Sequence, residues 1–280
     1  MIIGLAGLKQ SGKSTTCNIL HGIVLKERGM ISEYSIGKQG ELLIKTPDLT
    51  EWSVFDINRK DEEFVAFAEK EMWPYVKSYS FADPLKTIAT ELFNIPHKNV
   101  YGTNKDKNQK IKHLLWENMP GVITPEYIKH EMHDSLMGMT LHDTGVMTAR
   151  EFLQFFGTDI MRKKHGEDVW IRYVDAWIKV HQYHNKKVEN NKDTIFIIPD
   201  IRFENEAEFI RTSGGKVIKI EANDRVQEKV VQENLGLEEQ QHVSETNIDN
   251  IKADYVVNNS KLQQPFVFQK VTSILNDITF

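Results

Sequence analysis

The stretch Gly7-Leu8-Lys9-Gln10-Ser11-Gly12-Lys13-Ser14, followed by Thr15, constrains this chain more than any other. It matches G-x-x-x-x-G-K-[S/T], a loop pattern whose backbone wraps phosphate oxygens. The pattern needs a strand before it and a helix after it. Met1-Ile2-Ile3-Gly4-Leu5-Ala6 is a short apolar run that reads as a buried strand. Residues 14–27 carry Cys17, Ile19, Leu20, Ile23, Val24 and Leu25, with Gly29 beyond, and read as a helix closed by glycine.

That geometry dictates a chemistry. Gly7 and Gly12 let the backbone bend tightly and approach a phosphate closely. The loop N–H groups and the helix start form an anion site. Lys13 can reach β- and γ-phosphates, and the Ser14 hydroxyl can ligand Mg²⁺. Gly7, Lys9, Gln10, Ser11, Gly12, Lys13, Ser14 and Thr15 are therefore expected to hold ATP, with Mg²⁺ beside Ser14. A glycine-rich turn that merely caps a helix is the plain alternative, and spacing and flanks both weigh against it. The motif does not reveal the acceptor.

A length of 280 residues allows one large α/β domain with insertions, or two modest ones. A net charge of -5 argues against a general nucleic-acid or membrane surface. The one cysteine, Cys17, allows neither an intrachain disulfide nor a cysteine metal cluster. The first strand begins almost at once, leaving no room for a signal peptide, and no apolar run nears the roughly 18 residues of a membrane helix. A cytoplasmic protein is expected.

Along the chain, residues 34–40 read as a turn or hairpin and 52–55 as a short strand. Residues 61–73 have helical spacing, stopped by Pro74. Residues 76–82 alternate as a strand, after which Asp83 caps a helix with Pro84 in its first turn. The polar, basic segment 102–112 reads as a mobile or ligand-ordered loop, and 127–136 as a helix. Thr148 caps an amphipathic helix over 147–164; 167–184 is another, and 185–193 is a polar loop. Strands at 194–198, 216–220 and 253–257 alternate with helices at 203–211, 226–235 and 266–275. Five candidate parallel strands make a doubly wound α/β sheet. Ligands bind beyond the carboxyl ends of such strands, where Lys13, Asp83, Asp200, Arg202, Arg225 and Asn258 would gather.

Asp200 stands where a carboxylate can orient Mg²⁺ or its water, with a helix cap as the ordinary alternative. Arg202 suits bidentate phosphate recognition, with a plain surface ion pair as the alternative. Arg150 and Gln154 are i,i+4 and Thr158 extends their face. That face reads equally as phosphate-and-base recognition or as solvated surface opposite Leu153 and Phe156. Arg162-Lys163-Lys164-His165 reads as a basic patch for phosphates or, better, as a helix C-terminus favoured by its dipole. His130, His133 and Asp134 lack the H-E-x-x-H spacing of zinc enzymes and read as a solvated helix face. His242-Val243-Ser244-Glu245 gives no independent reason for catalysis.

Together these pieces resemble the bacteriophage deoxynucleoside monophosphate kinases, a branch of the P-loop nucleotide kinases. The resemblance rests on Gly7 to Ser14, Ser80-Phe81-Ala82-Asp83-Pro84-Leu85-Lys86, and Arg150-x-x-x-Gln154-x-x-Gly157-Thr158 with Trp170-Ile171. It extends to Asp200-Ile201-Arg202-Phe203-Glu204-Asn205-Glu206, His242-x-Ser244-Glu245 and Asp254-Tyr255-Val256-Val257-Asn258. It implies a P-loop kinase-like, five-stranded parallel sheet in a single domain over 1–280, with an inserted helical acceptor-binding and lid region within 30–165. It implies ATP- and Mg²⁺-dependent phosphorylation of a deoxynucleoside 5′-monophosphate to the diphosphate, in the host cytoplasm if phage-encoded. Lys13, Asp200, Arg202 and Arg150 would be catalytic, and Ser14 and Asp200 would hold the metal. Arg150, Gln154, Gly157, Thr158, Trp170 and Glu206 would bind substrate, with Arg162 and Arg225 as weaker lid candidates. Neither polymeric nucleic acid nor membrane is an expected partner, and a homodimer stays open. Glu151 departs from relatives that carry a basic residue there, which implies a weaker phosphate clamp. Residues 96–146 match little and leave the base preference open. The rivals are a P-loop kinase of another small acceptor, such as dephospho-coenzyme A, and a nucleotide-dependent switch. Asn104-Lys105-Asp106-Lys107 fails the guanine motif Asn-Lys-x-Asp, which counts against a switch.

Overall fold

Five strands pair in parallel in the computed structural model of the chain, which describes residues 1–46, 51–59, 61–125, 140–188, 194–222, 247–260 and 266–279. The described strands are β1 (Ile2–Ala6), β2 (Glu33–Ile36), β3 (Leu42–Lys45), β4 (Ser53–Val54), β5 (Val76–Ser78) and β6 (Lys110–Leu115). They continue with β7 (Val122–Ile123), β8 (Thr140–Leu141), β9 (Val146–Thr148), β10 (Ile195–Ile201), β11 (Lys216–Glu221) and β12 (Tyr255–Asn258). The large sheet runs β12-β11-β1-β10-β5. Every residue of β1 is buried, the pattern of a central strand covered on both faces. A parallel sheet of this order with intervening helices is the doubly wound α/β architecture expected from the strand pattern.

The chain divides into two compact units, Met1–Phe81 with Val174–Phe280, and Ala82–Tyr173. The first unit holds the large sheet. Its core joins Ile3, Leu5, Ile197, Ile218 and Ile220 of the strands to Leu20 and Val24 of helix Lys13–Glu27 and to Val271 and Ile274 of helix Val267–Thr279. The hairpin of β2 and β3 belongs to this unit, with β4 beside β3. Asn18 of the first helix donates to the Gly40 carbonyl at the hairpin turn (2.8 Å). The second unit has a core of its own, including Ile95, Val100, Ile111, Leu114, Met147, Phe152 and Phe155. Phe152 packs on Phe93 with ring centroids 4.6 Å apart.

Several local expectations are corrected. The strand expected over 76–82 ends at Ser78, because Ser80 and Phe81 turn to bond Asp200. Asp83 is the first residue of helix Asp83–Thr87, not its cap; Ala82 is the cap and Pro84 sits in the first turn, where its missing N–H costs nothing. The segment expected to be a mobile loop over 102–112 contains helix Asn104–Lys107 and the start of β6. Thr103 and Asp106 form a reciprocal capping box there, which satisfies the helix start locally. Helix Val169–Val188 continues into the segment read as a polar loop from 185. β10 runs on through Pro199 to Ile201. The helices expected over 127–136 and 226–235, and Arg225, His130, His133, Asp134, His242, Ser244 and Glu245, lie outside the described residues.

Candidate active site

In the first unit, Gly7 has φ +148° and Gly12 has φ +107°, both conformations that side chains resist. A Cβ on Gly7 would lie 2.5 Å from the Ile220 carbonyl oxygen, and one on Gly12 would lie 2.2 Å from Asn259 Nδ2. Both glycines are thus required by backbone angle and by space. Gln10 is one of two described non-glycine residues with positive φ, at +65°. Such conformations collect where a binding loop needs them. Lys13 Nζ donates to the carbonyls of Gly7 and Leu8 at 2.7 Å each, so its ammonium lies over its own loop. Ser14 is exposed at the start of helix Lys13–Glu27. The Ser11 hydroxyl is buried without a protein hydrogen-bond partner. A buried orphan hydroxyl is unfavourable unless something fills it, and it fits a cradle for phosphate oxygens.

Asn259 clamps this loop. Its side chain is buried and donates from Nδ2 to the Ser11 carbonyl at 2.7 Å, while its backbone N–H donates to Glu221 at 2.6 Å. The sequence singled out its neighbour Asn258, but Asn258 is exposed and its side chain accepts from Ser260 N. The Asn-Asn pair was visible in sequence. Which of the two faces inward depends on where β12 ends, and periodicity does not resolve that to one residue.

Asp200 is aimed by an irregularity in the sheet. Gly4 pairs with Ile198 and Ala6 with Ile201, so Leu5 alone faces both Pro199 and Asp200. This is a β-bulge, the kind of site where proline, lacking an N–H, is tolerated and where side chains are re-aimed. Asp200 accepts from the Ser80 hydroxyl at 2.6 Å and from Phe81 N at 3.1 Å. It does not serve as the cap of helix Glu204–Thr212. That work falls to Glu206, which is buried and accepts from Arg202 N (2.8 Å) and Phe203 N (3.2 Å). Glu206 thereby shapes the turn that carries Arg202, which is exposed beyond the end of β10.

Beneath the loop lies a buried polar group that the sequence did not single out. Cys17 Sγ lies 3.7 Å from His21 Nδ1 and 3.4 Å from Ser78 Oγ, and Ser78 Oγ lies 3.4 Å from His21 Nε2. Burial pushes the Cys17 thiol up to about 12 and the His21 imidazole down to about 4. Both groups are thus neutral at pH 7 and tie the first helix to β5.

The second unit carries the other predicted set. Thr148 caps helix Ala149–Gln154, and Glu151 returns its carboxylate to Thr148 N at 2.6 Å. Glu151 therefore has a local job, which accounts for an acid beside Arg150. Arg150 donates from Nε to Asn108 Oδ1 (2.7 Å) and from Nη2 to Asn104 Oδ1 (3.0 Å). Gln154 is half-buried one turn on. Over Phe155–Arg162 the helix widens to i→i+5 bonding. An i+4 step within it falls short of a full turn, so Thr158 is re-phased from the α-helical face expected of it. Trp170 is buried and donates its indole N–H to the Gly157 carbonyl at 3.2 Å. Arg162 is buried too, unlike Lys163, Lys164 and His165 around it, and Gly166 ends the helix at φ +109°. Asp83 also falls in this unit.

A parallel sheet with a glycine-bracketed loop after its central strand and a carboxylate near the end of the neighbouring strand is the arrangement of a P-loop nucleotide-binding fold. The family model for deoxynucleotide monophosphate kinase matches residues 1–266. A protein of Acanthamoeba polyphaga mimivirus, named provisionally as a deoxynucleotide monophosphate kinase, is 26% identical over 205 residues, covering 70% of this chain and 82% of that protein. The chain belongs to the deoxynucleotide monophosphate kinase family and is a phosphotransferase of that kind. No helix among the described residues is long and apolar enough to cross a membrane.

Proposed function

We propose that the enzyme transfers the γ-phosphoryl group of ATP to a deoxynucleoside 5′-monophosphate in a Mg²⁺-dependent reaction. An acceptor phosphate oxygen attacks the γ-phosphorus, the bond to the β,γ-bridging oxygen breaks, and ADP leaves with a deoxynucleoside diphosphate. Such a transfer needs positioning and charge neutralisation more than covalent chemistry.

The observation that carries the donor half is the loop 7–14, with its positive-φ glycines and orphan Ser11 hydroxyl, beside the bulge that aims Asp200. In this reading Gly7, Lys9, Gln10, Ser11, Gly12, Lys13, Ser14 and Thr15 hold ATP. Lys13 and Arg202 neutralise phosphate oxygens. The exposed Ser14 hydroxyl and the Asp200 carboxylate are hard oxygen donors. Among the described residues no group of three or more His, Cys, Asp or Glu could hold a metal. Mg²⁺ suits a site with one or two protein oxygens, because it takes its other ligands from phosphates and water. When bound it supplies charge neutralisation at the β- and γ-oxygens. Arg150 offers a fork to the acceptor phosphate, and Gln154 offers a donor and an acceptor to a base edge. Thr158, re-phased by the widened helix, contributes its hydroxyl from a different direction, while Trp170 and Glu206 act by fixing the backbone at Gly157 and Arg202.

The test is a screen of deoxy- and ribonucleoside monophosphates, with dephospho-coenzyme A included, against ATP and Mg²⁺. Acceptor-dependent ADP formation with a deoxynucleoside monophosphate is the expected result. Slow hydrolysis that no acceptor accelerates would favour a switch, and activity on dephospho-coenzyme A alone would reassign the substrate.

A further inference from the structure

We infer that Asn104 and Asn108 are positioning residues that hold the Arg150 guanidinium for the acceptor phosphate. This rests on the proposed reading of Arg150 and adds the two side chains that orient it.

The chain brings these groups together for a simple reason. β6 and β9 are antiparallel, with Lys110 opposite Thr148. That pairing brings Asn108, the C-cap of the helix just before β6, close to Arg150, in the first turn of the helix that follows β9. Asn108 Oδ1 takes Nε–H at 2.7 Å, and Asn104 Oδ1 takes Nη2–H at 3.0 Å. Both bonds lie on the Nε–Nη2 edge. They fix the plane of the guanidinium and so the direction of its Nη1–Nη2 edge, whose geometry matches a phosphate fork. Both acceptors are neutral amides, so these bonds orient the cation without bringing a negative charge to it. A carboxylate at either position would orient it and weaken its pull on an anion.

The segment that carries the amides is itself braced. The Thr103 hydroxyl and N–H both donate to the Asp106 carboxylate, at 2.5 and 2.9 Å. Lys98 pairs with the same carboxylate at 3.2 Å. The buried Asn99 donates to the Asp106 carbonyl at 2.7 Å and to Gln109 Oε1 at 3.0 Å. Asn104 and Asn108 thus stand on a short rigid piece, as residues that place another residue should.

The experiment uses the full chain with ATP saturating and each of the four deoxynucleoside 5′-monophosphates varied in turn. Asn104→Ala and Asn108→Ala should each raise the monophosphate KM by about tenfold, the scale of a charge-assisted hydrogen bond. KM for ATP should stay within about twofold, as expected for a group that the acceptor alone feels. In an Arg150→Ala background, neither substitution should add more than about twofold, since its target is gone. Asn108→Asp keeps the accepting oxygen, guards against a variant that merely fails to fold, and should also raise the monophosphate KM. If Arg150→Ala itself leaves the monophosphate KM unchanged, the reading of Arg150 falls and this inference with it. If Arg150→Ala raises that KM but the asparagine variants do not, the positioning role alone is overturned. Full additivity with Arg150→Ala, equal weakening of ATP, or a wild-type Asn108→Asp would overturn it as well.

Discussion

Gly12→Ala probes the contact that joins the two ends of the first unit's chain. Gly12 sits at φ +107°, and a Cβ there would meet Asn259 Nδ2 at 2.2 Å. Two costs follow. An L side chain held in that backbone region costs about 1–3 kcal/mol. Asn259 must also move, which breaks its bond to the buried Ser11 carbonyl and costs about 1–3 kcal/mol for the acceptor left behind. The sum is about 2–6 kcal/mol, and the loop that should bind ATP is displaced as well. Urea unfolding measures the first effect, and titration with a fluorescent ATP analogue measures the second. The structure also dictates the coupling. Asn259→Ala removes the same hydrogen bond, so the double variant should cost less than the sum of the two single variants, because both changes break one shared contact. The reasoning is refuted if Gly12→Ala unfolds within about 0.5 kcal/mol of the parent, the range of an ordinary surface change, or if the two substitutions add in full.

Three further outcomes are expected. Lys13→Ala should leave the chain folded and lower turnover by about two to three orders of magnitude, because a fixed cation at the transferring group is lost; near-normal turnover in a folded variant would contradict this. Asp200→Asn keeps an acceptor for Phe81 N and, since Glu206 caps the following helix, should keep the fold while raising the Mg²⁺ concentration for half-maximal rate. Lost stability with unchanged activity per folded molecule would make Asp200 structural. His21 is held neutral by burial, so the unfolded chain takes up its proton first as pH falls from 6.5 toward about 4. Stability is full above pH 6.5 and falls through that window, by about 3 kcal/mol from this group; His21→Gln should flatten the slope of unfolding free energy against pH between 7 and 4.5, and an unchanged slope would exclude His21 as its source.

Elements whose signals are local are written in the order of residues. The apolar run before Gly7, the helix after it, and the strand runs around Ile197, Ile218 and Val256 carry their own periodicity, and all five strands of the large sheet were legible. So were Thr148 as a cap and the P-loop, because spacing along the chain is the whole of those signals. Tertiary structure decided what depends on register between distant segments. The bulge that pairs Leu5 with both Pro199 and Asp200 exists only once β1 lies beside β10. Asn259, not Asn258, reaches Ser11 across 248 positions. The amides of Asn104 and Asn108 meet Arg150 because β6 and β9 pair, in a segment whose polar, basic composition by itself reads as a mobile or ligand-ordered loop. Hydrophobic periodicity reports which face is buried, whereas hydrogen-bond partners far apart in the chain are chosen by strand register, and a shift of one residue there turns a side chain to the other face.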